Sequence, residues 1–474
     1  MNNFGLLIKL SIVVLLVSSG SAVHARADKI DDAVFQAVND ASYMNKNDGR
    51  VSVIVVMEPV EPLPSSGWVE PTPAEVQYHL IKKTAEKQWE MRSLVNDWVT
   101  NQFGPSVRNY MFLWSTNTLI VDASPEAIWE MAEMPIVNRV LFDERIAMTQ
   151  PVEKIQVEAA DKREEVYTYG LQKIRIPEVR QQHPDMTGEG VVVGILDTGL
   201  DASHPELAGK MIAWKDFISE KEEAYDDNGH GTHVAGTIAG EGAGGTQIGV
   251  APRAQLVIGK IFSGSGYSSA GAILRGMEWI ANPERKFNSS MRPRVINNSW
   301  GGGMRSDVRQ DPFAQQVINW VQLQIFPAFA AGNSGRSGAG SIGSPGGLSV
   351  AFAVGATNSE DEVTDFSSRG PVEVVDFDGE RKTYIKPDIS APGHQVYSSM
   401  PKGKYAKLSG TSMATPHLAG AVALIYQLRP DLTVEQMSKV LMESSEDLGE
   451  SGKDNHFGAG RLDVVRALEA ASQI

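Results

Sequence analysis

The residues that could do chemistry fall in a few short stretches. In GTSMATPH, residues 410–417, Ser412 stands where an apolar helix begins. Serine is a good helix N-cap, and that reading needs no activity. A serine at the positive end of a helix dipole can also be a nucleophile. In VVVGILDTG, residues 191–199, Asp197 ends an apolar strand, a place where aspartate often only forms a turn. In DDNGHGTHVAGT, residues 226–237, His230 and His233 lie three apart at the start of a helix rich in small residues. Zinc-binding helices usually carry histidines four apart with a distant third ligand, so this spacing argues against a metal despite Asp227 nearby. One catalytic and one structural histidine fit better. In FPAFAAGNSG, residues 326–335, Asn333 follows a strand of small and apolar residues. Its amide suits a turn, or a hydrogen bond to a developing oxyanion. A nucleophile, a base, a carboxylate to orient it and an amide donor are together what acyl transfer needs.

Those residues need a frame. From residue 167 onward, continuous apolar runs alternate with helical ones, which predicts a parallel sheet covered by helices on both faces. Active residues of such sheets gather at the carboxyl ends of the strands, where each of these four falls. Before it, residues 28–150 read as β-α-β-β-α-β, a small α+β unit of ferredoxin-like order. Its elements include a strand at 51–57, a long helix over 74–103 carrying Trp89 and Trp98, and a helix from Pro125 capped by Ser124. Residues 151–166 are polar, charged and free of glycine, and read as an exposed connector. Residues 1–27 have the layout of a signal peptide: a short apolar core, LSIVVLLV, then small residues and Ala25-Arg26-Ala27. Export is the expectation, with no stable membrane span once that segment is removed.

The chain has 474 residues, 42% hydrophobic and 21% charged, enough for more than one domain and a large core. Its net charge of −15 argues against nucleic acid as a partner. It has no cysteine, so disulfides and thiolate chemistry are excluded.

The blocks DTG, HGTHVAGT, AAGN and GTSMATPH resemble the signatures of the subtilisin-like serine proteases. So do HPEL, IGVAP, NNSWGG, DFSSRGP and KPDISAPG, in order along residues 167–474. The order Asp, His, Ser is that of this family. The resemblance implies a secreted serine endopeptidase with a three-layer α/β catalytic domain, preceded by an inhibitor-like propeptide, 28–150, that it removes itself. It implies that Asp197 orients His230, His230 is the base, Ser412 attacks and Asn333 donates to the oxyanion. His233 and His417 match positions of structural use. Ser299, Trp300, Gly301, Ala331, Gly332 and Gly343 would line the pocket for the residue before the cut bond; the glycines and alanines leave room for a large apolar side chain, while Trp300 departs from the family's common small aliphatic residue and could narrow or reshape the subsite. Its partners would be protein or peptide substrates and its own propeptide. No cofactor is required for the chemistry. A structural calcium is a family habit, and the loop 241–247 keeps few side-chain oxygens for one, with Glu206 and Gln247 near. Two other readings stay open. One is an inactive, peptide-binding homologue. The other is an α/β-hydrolase esterase, for which Asp447 and His456 follow Ser412 in that family's order.

Overall fold

The computed structural model describes residues 29–61, 71–100, 106–157 and 166–474. The segment expected to be a signal peptide lies outside the described residues. By internal contacts the chain divides into two units, Met1–Pro71 with Gln77–Glu144, and Thr72–Val76 with Arg145–Ile474. The division therefore falls at 144, earlier than the boundary read at 150.

In the first unit, β1 (Val51–Met57), β2 (Val107–Leu113), β3 (Thr118–Ala123) and β4 (Val137–Phe142) form an antiparallel sheet in the order β2-β3-β1-β4. The helices Pro73–Lys87 and Trp89–Val99 follow β1, and Pro125–Glu133 follows β3, so the order is the expected β-α-β-β-α-β. Two short helices, Asp32–Asn39 and Ala41–Lys46, precede it. Ser124 caps the helix Pro125–Glu133 by accepting from the Ala127 N–H, with proline in the first turn where no N–H is missed. The single helix read over 74–103 is instead two. Gln88 breaks it, its buried side chain donating to the Leu113 carbonyl. The buried stripe nevertheless runs on through Leu80, Thr84, Gln88, Met91, Val95 and Trp98, and Trp89, read on that stripe, lies one residue off it and is 74% exposed. Val53, Val55, Leu119 and Val121 meet Met91, Val95, Ile128 and Met131 in this unit's core.

The second unit begins with β5 (Arg145–Ala147) and β6 (Glu153–Val157), so part of the expected connector is a strand. Then come β7 (Val192–Asp197), β8 (Met211–Asp216), β9 (Gln255–Lys260), β10 (Tyr267–Ser269), β11 (Val295–Asn298), β12 (Phe326–Ala330) and β13 (Phe352–Thr357). They are followed by the hairpin β14 (Val372–Val375) and β15 (Arg381–Tyr384), then β16 (Ile389–Pro392), β17 (Val396–Met400) and β18 (Lys404–Ser409). The main sheet has seven parallel strands in the order β16-β13-β12-β11-β7-β9-β8.

Every residue of β7 is buried, as a strand covered on both faces requires. Alternation along it separates the layers. Val193 and Ile195 join Val234, Ile238, Leu418 and Val422 from the helices His230–Ala239 and Thr411–Leu428. Gly194 faces the other way, onto Ile280 of the helix Ala270–Ile280. This is the three-layer arrangement read from the sequence.

The strand order reverses direction beside β7, so the loops after β7, β11 and β12 open on one rim. Approach there is close. A Cβ on Gly231 would lie 2.2 Å from the Gly199 carbonyl oxygen, a backbone atom that cannot step aside. Gly231→Ala should therefore destabilise the unit by about 1–3 kcal/mol, seen as a lower urea midpoint with an unchanged m-value; an unchanged midpoint would mean the rim is not closely packed there.

Candidate active site

Asp197, the last residue of β7, is 1% exposed. Its Oδ1 accepts from the Thr198 N–H at 2.7 Å, and its two oxygens lie 2.8 and 3.0 Å from His230 Nδ1. An ionised carboxylate only accepts, so the proton between them belongs to Nδ1 and Nε2 is left as an acceptor. Nε2 is buried and has no hydrogen-bond partner among the described residues. Behind Asp197, Lys260 at the end of β9 is fully buried. Its ammonium donates to the Thr198 carbonyl at 2.5 Å, to Asp227 at 2.6 Å and to the Phe262 carbonyl at 2.8 Å. It pins the turn that follows the aspartate.

His230 opens its helix, and Asp226 organises the approach. One of its oxygens accepts from Thr198 Oγ1 and from the N–H groups of Asn228 and Gly229. The other accepts from Thr232 N and Oγ1. The backbone N–H groups of Asn228, Gly229 and Thr232, at and just before the helix start, are thereby satisfied by one carboxylate, which also suits the positive end of the helix.

Ser412 is not the cap. Gly410 is the N-cap of the helix Thr411–Leu428, and it has no side chain to offer. The capping comes from Asn333, whose Oδ1 accepts from Thr411 N at 2.9 Å and Thr411 Oγ1 at 3.0 Å. With its oxygen so held, the amide nitrogen must face outward, and it donates to the Gln150 carbonyl at 3.0 Å. Within the helix, Pro416 has no N–H, so the Ser412 carbonyl four residues earlier lacks its usual partner. Ser299, just past β11, fills that vacancy: its Oγ donates to the Ser412 carbonyl at 2.8 Å, itself steadied by Asn297 Nδ2 at 2.9 Å. Ser412 Oγ donates in turn to the Ser299 carbonyl at 3.0 Å.

A cavity of about 450 Å³ adjoins Asn333, with Gly301, Gly302, Met304, Ala331, Gly332 and Gly343 among its lining residues. Four of the six residues read as pocket walls are therefore there. Ser299 and Trp300 are not. Ser299 faces the helix that carries Ser412, and successive side chains of an extended segment point opposite ways. Trp300 is buried among Phe262, Phe313 and Phe329. A ring that large is accommodated by the core and leaves only its glycine neighbours on the cavity.

The other candidates fall outside the site. Glu206 is fully buried, and its oxygens accept from Gly242 N, Gly244 N and Tyr405 OH. Those donors turn hydrogens toward the carboxylate where a calcium would need oxygens, so this set does not fit the ion. Asp447 accepts from the Gly452 N–H, and His456 is exposed. The carboxylate and imidazole of the esterase reading are thus committed elsewhere or open to solvent.

Asp226, Lys260 and Pro416 were missed in the sequence. Only the proline had a local signal, its place four residues after the serine.

Residues 188–460 match the Subtilase family, peptidase S8. The chain belongs to that family of serine endopeptidases. It is 36% identical to subtilisin DY of Bacillus licheniformis over 306 residues, 64% of this chain and 98% of that protein. It is 36% identical to the serine protease AprX of Bacillus subtilis (strain 168) over 321 residues, 61% of this chain and 69% of the relative. Its match to bacillopeptidase F of the same strain, 32% over 424 residues, covers 83% of this chain and 28% of that longer protein.

His233 and His417 are buried and neutral. His233 Nε2 donates to the Val396 and Ala406 carbonyls, and His417 Nδ1 to the Met413 carbonyl. Burial pushes them down to about 3 and about 4. Above pH 6.5 neither folded nor unfolded chain protonates them, and they are silent. Below it the unfolded chain takes up protons that the folded one refuses, so stability should fall as pH drops from 6.5 toward 4. Each histidine contributes a slope of up to about 1.4 kcal/mol per pH unit. Urea unfolding between pH 7 and 5 should show this, and His417→Gln should remove roughly half of the slope; a slope unchanged in that variant would assign it to other groups.

Proposed function

We propose that this chain is an exported serine endopeptidase that cuts proteins through an acyl-enzyme on Ser412 and removes its own N-terminal region. The observation that carries the reading is the buried Asp197–His230 pair on the same rim as an Asn333 amide already hydrogen-bonded to a backbone carbonyl.

Ser412 Oγ leaves the Ser299 carbonyl for His230 Nε2, the buried acceptor without a partner. His230 takes its proton as Oγ attacks the scissile carbonyl carbon, and Asp197 stabilises the imidazolium at Nδ1. The new oxyanion receives Asn333 Nδ2 and the Ser412 N–H, which lies in the first helical turn and has no intrahelical acceptor. His230 then protonates the leaving amine, and water hydrolyses the ester by the reverse proton path. No step requires a cofactor. The uncharged cavity of glycines and alanines favours a large apolar side chain before the cut bond.

Export rests on residues 1–27; among the described residues no helix is long and apolar enough to cross a membrane. Residues 28–150 would be the propeptide, inhibiting until the enzyme cuts the chain behind them. Subtilisins set the scale for removing the nucleophile. Ser412→Ala should lower kcat by about 10⁶-fold and leave the chain beginning near Asp28, whereas the wild type should begin between Thr149 and Val166. Intact mass reads both; self-cutting by pure Ser412→Ala protein would overturn the assignment.

Asn333→Leu should cost about 10²–10³-fold in kcat, the size known for a subtilisin's own amide donor. KM should stay nearly constant, because that hydrogen bond strengthens in the transition state. An equal loss confined to KM would make Asn333 a substrate-binding residue only.

A further inference from the structure

Residues 145–157 cross the rim as one extended segment. β5 pairs antiparallel with β10, Ala147 opposite Tyr267, and the Met148 N–H donates to the Gly266 carbonyl at 2.9 Å. The Gln150 carbonyl then accepts from Asn333 Nδ2. Two residues on, the Val152 N–H donates to the Ser409 carbonyl at 2.8 Å. β6 pairs antiparallel with β18, Glu153 opposite Ser409. The Glu153 carboxylate also accepts from Ser409 Oγ at 3.1 Å and Gln395 Nε2 at 3.3 Å. Main-chain pairing on both sides is how an added strand is held. The carbonyl offered to the oxyanion donor belongs to Gln150, so the bond presented is Gln150–Pro151.

We infer that Pro151 makes this presented bond a slow substrate, so that the segment plugs the enzyme's own site before it is released. The inference rests on the proposed function. Acylation would form the bond from Ser412 Oγ to the Gln150 carbonyl carbon and break the bond from that carbon to Pro151 N. The proton taken from Ser412 by His230 must be delivered to the same nitrogen. In an ordinary peptide that nitrogen carries a small hydrogen. In Pro151 it carries the ring Cδ, which crowds the imidazole, and the ring fixes φ so the segment cannot turn to relieve it. The strand pairing acts in the same direction. After a cut it keeps the Pro151 amine beside the ester, where it re-forms the peptide bond in competition with water. Pro151 is thus a specificity-determining residue for the self-directed reaction, and its chemistry favours retention of the plug.

The test compares the chain from Asp28 onward as wild type, Pro151→Ala and Ser412→Ala, followed by intact mass over time. Pro151→Ala should release a fragment beginning at residue 151 at least tenfold faster than wild type, and Ser412→Ala should release none. Synthetic peptides of residues 145–157, native or carrying Pro151→Ala, make the comparison independent of folding. Matured enzyme that cuts casein should split the substituted peptide between 150 and 151, while the native peptide inhibits casein cutting and stays whole. Equal splitting of the two peptides, or a wild-type chain cutting 150–151 as fast as Pro151→Ala, would overturn the role of Pro151 and leave the proposed function standing. Absence of any Ser412-dependent cutting of casein would overturn the proposed function, and this inference with it.

Discussion

A carboxylate buried at the end of a parallel strand needs donors, and much of the rim is arranged to supply them to Asp197. Burying an unpaired charge costs several kcal/mol, so its hydrogen bonds to His230 Nδ1 and the Thr198 N–H are conditions of the fold as much as of the chemistry. His230 can reach it only if its helix begins close to β7. The close approach of Gly231 to Gly199 and the network around Asp226 make that start possible. Lys260 closes the arrangement, tying the turn after Asp197 to Asp227 in the approach to the helix.

The helix Thr411–Leu428 does its work through what is missing from it. Gly410 offers no cap, so Asn333 supplies one, and in doing so its amide is aimed by the bonds its oxygen makes. Pro416 offers no N–H, so the Ser412 carbonyl reaches across to Ser299, and the start of the helix is locked to the end of β11. A helix with a side-chain cap and an unbroken ladder would be more regular, and its serine would be tied to neither strand. The position of Ser412 is therefore set by Ser299 and Asn333, residues that follow directly or closely on the ends of the neighbouring strands β11 and β12.

The same rim holds residues 145–157, and the contacts are of a kind any extended chain could make: backbone N–H to carbonyl, with few side chains involved. That generality suits a protein-cutting enzyme, whose substrates share a backbone and little else. Half of the residues lining the cavity beside Asn333 are likewise glycine or alanine and none is charged, so shape is its main demand. Trp300 affects that cavity only through the core, by packing with Phe262, Phe313 and Phe329 beneath the glycines that line it.

The sequence by itself determined the parallel sheet with its main helices, the β-α-β-β-α-β order in the first unit and the four residues on the rim, but not the short elements such as β8, β10 and the hairpin β14–β15. Each feature it determined depends on local pattern: continuous apolar strands, helical periodicity, and short blocks whose residue types have few other uses together. The Ser124 cap and its proline were legible for the same reason. The tertiary structure decided what depends on partners distant in sequence. Trp89 turned outward because Gln88 found the Leu113 carbonyl, and Trp300 turned inward because three phenylalanines from separate elements met it. Part of the connector became β6 because the exposed edge of β18 offered it hydrogen bonds. Glu206 was filled by N–H groups of a loop that the sequence alone could not fold around it. Hydrogen bonds and packing between remote segments are chosen by the whole chain's closure, and no window of sequence contains both partners.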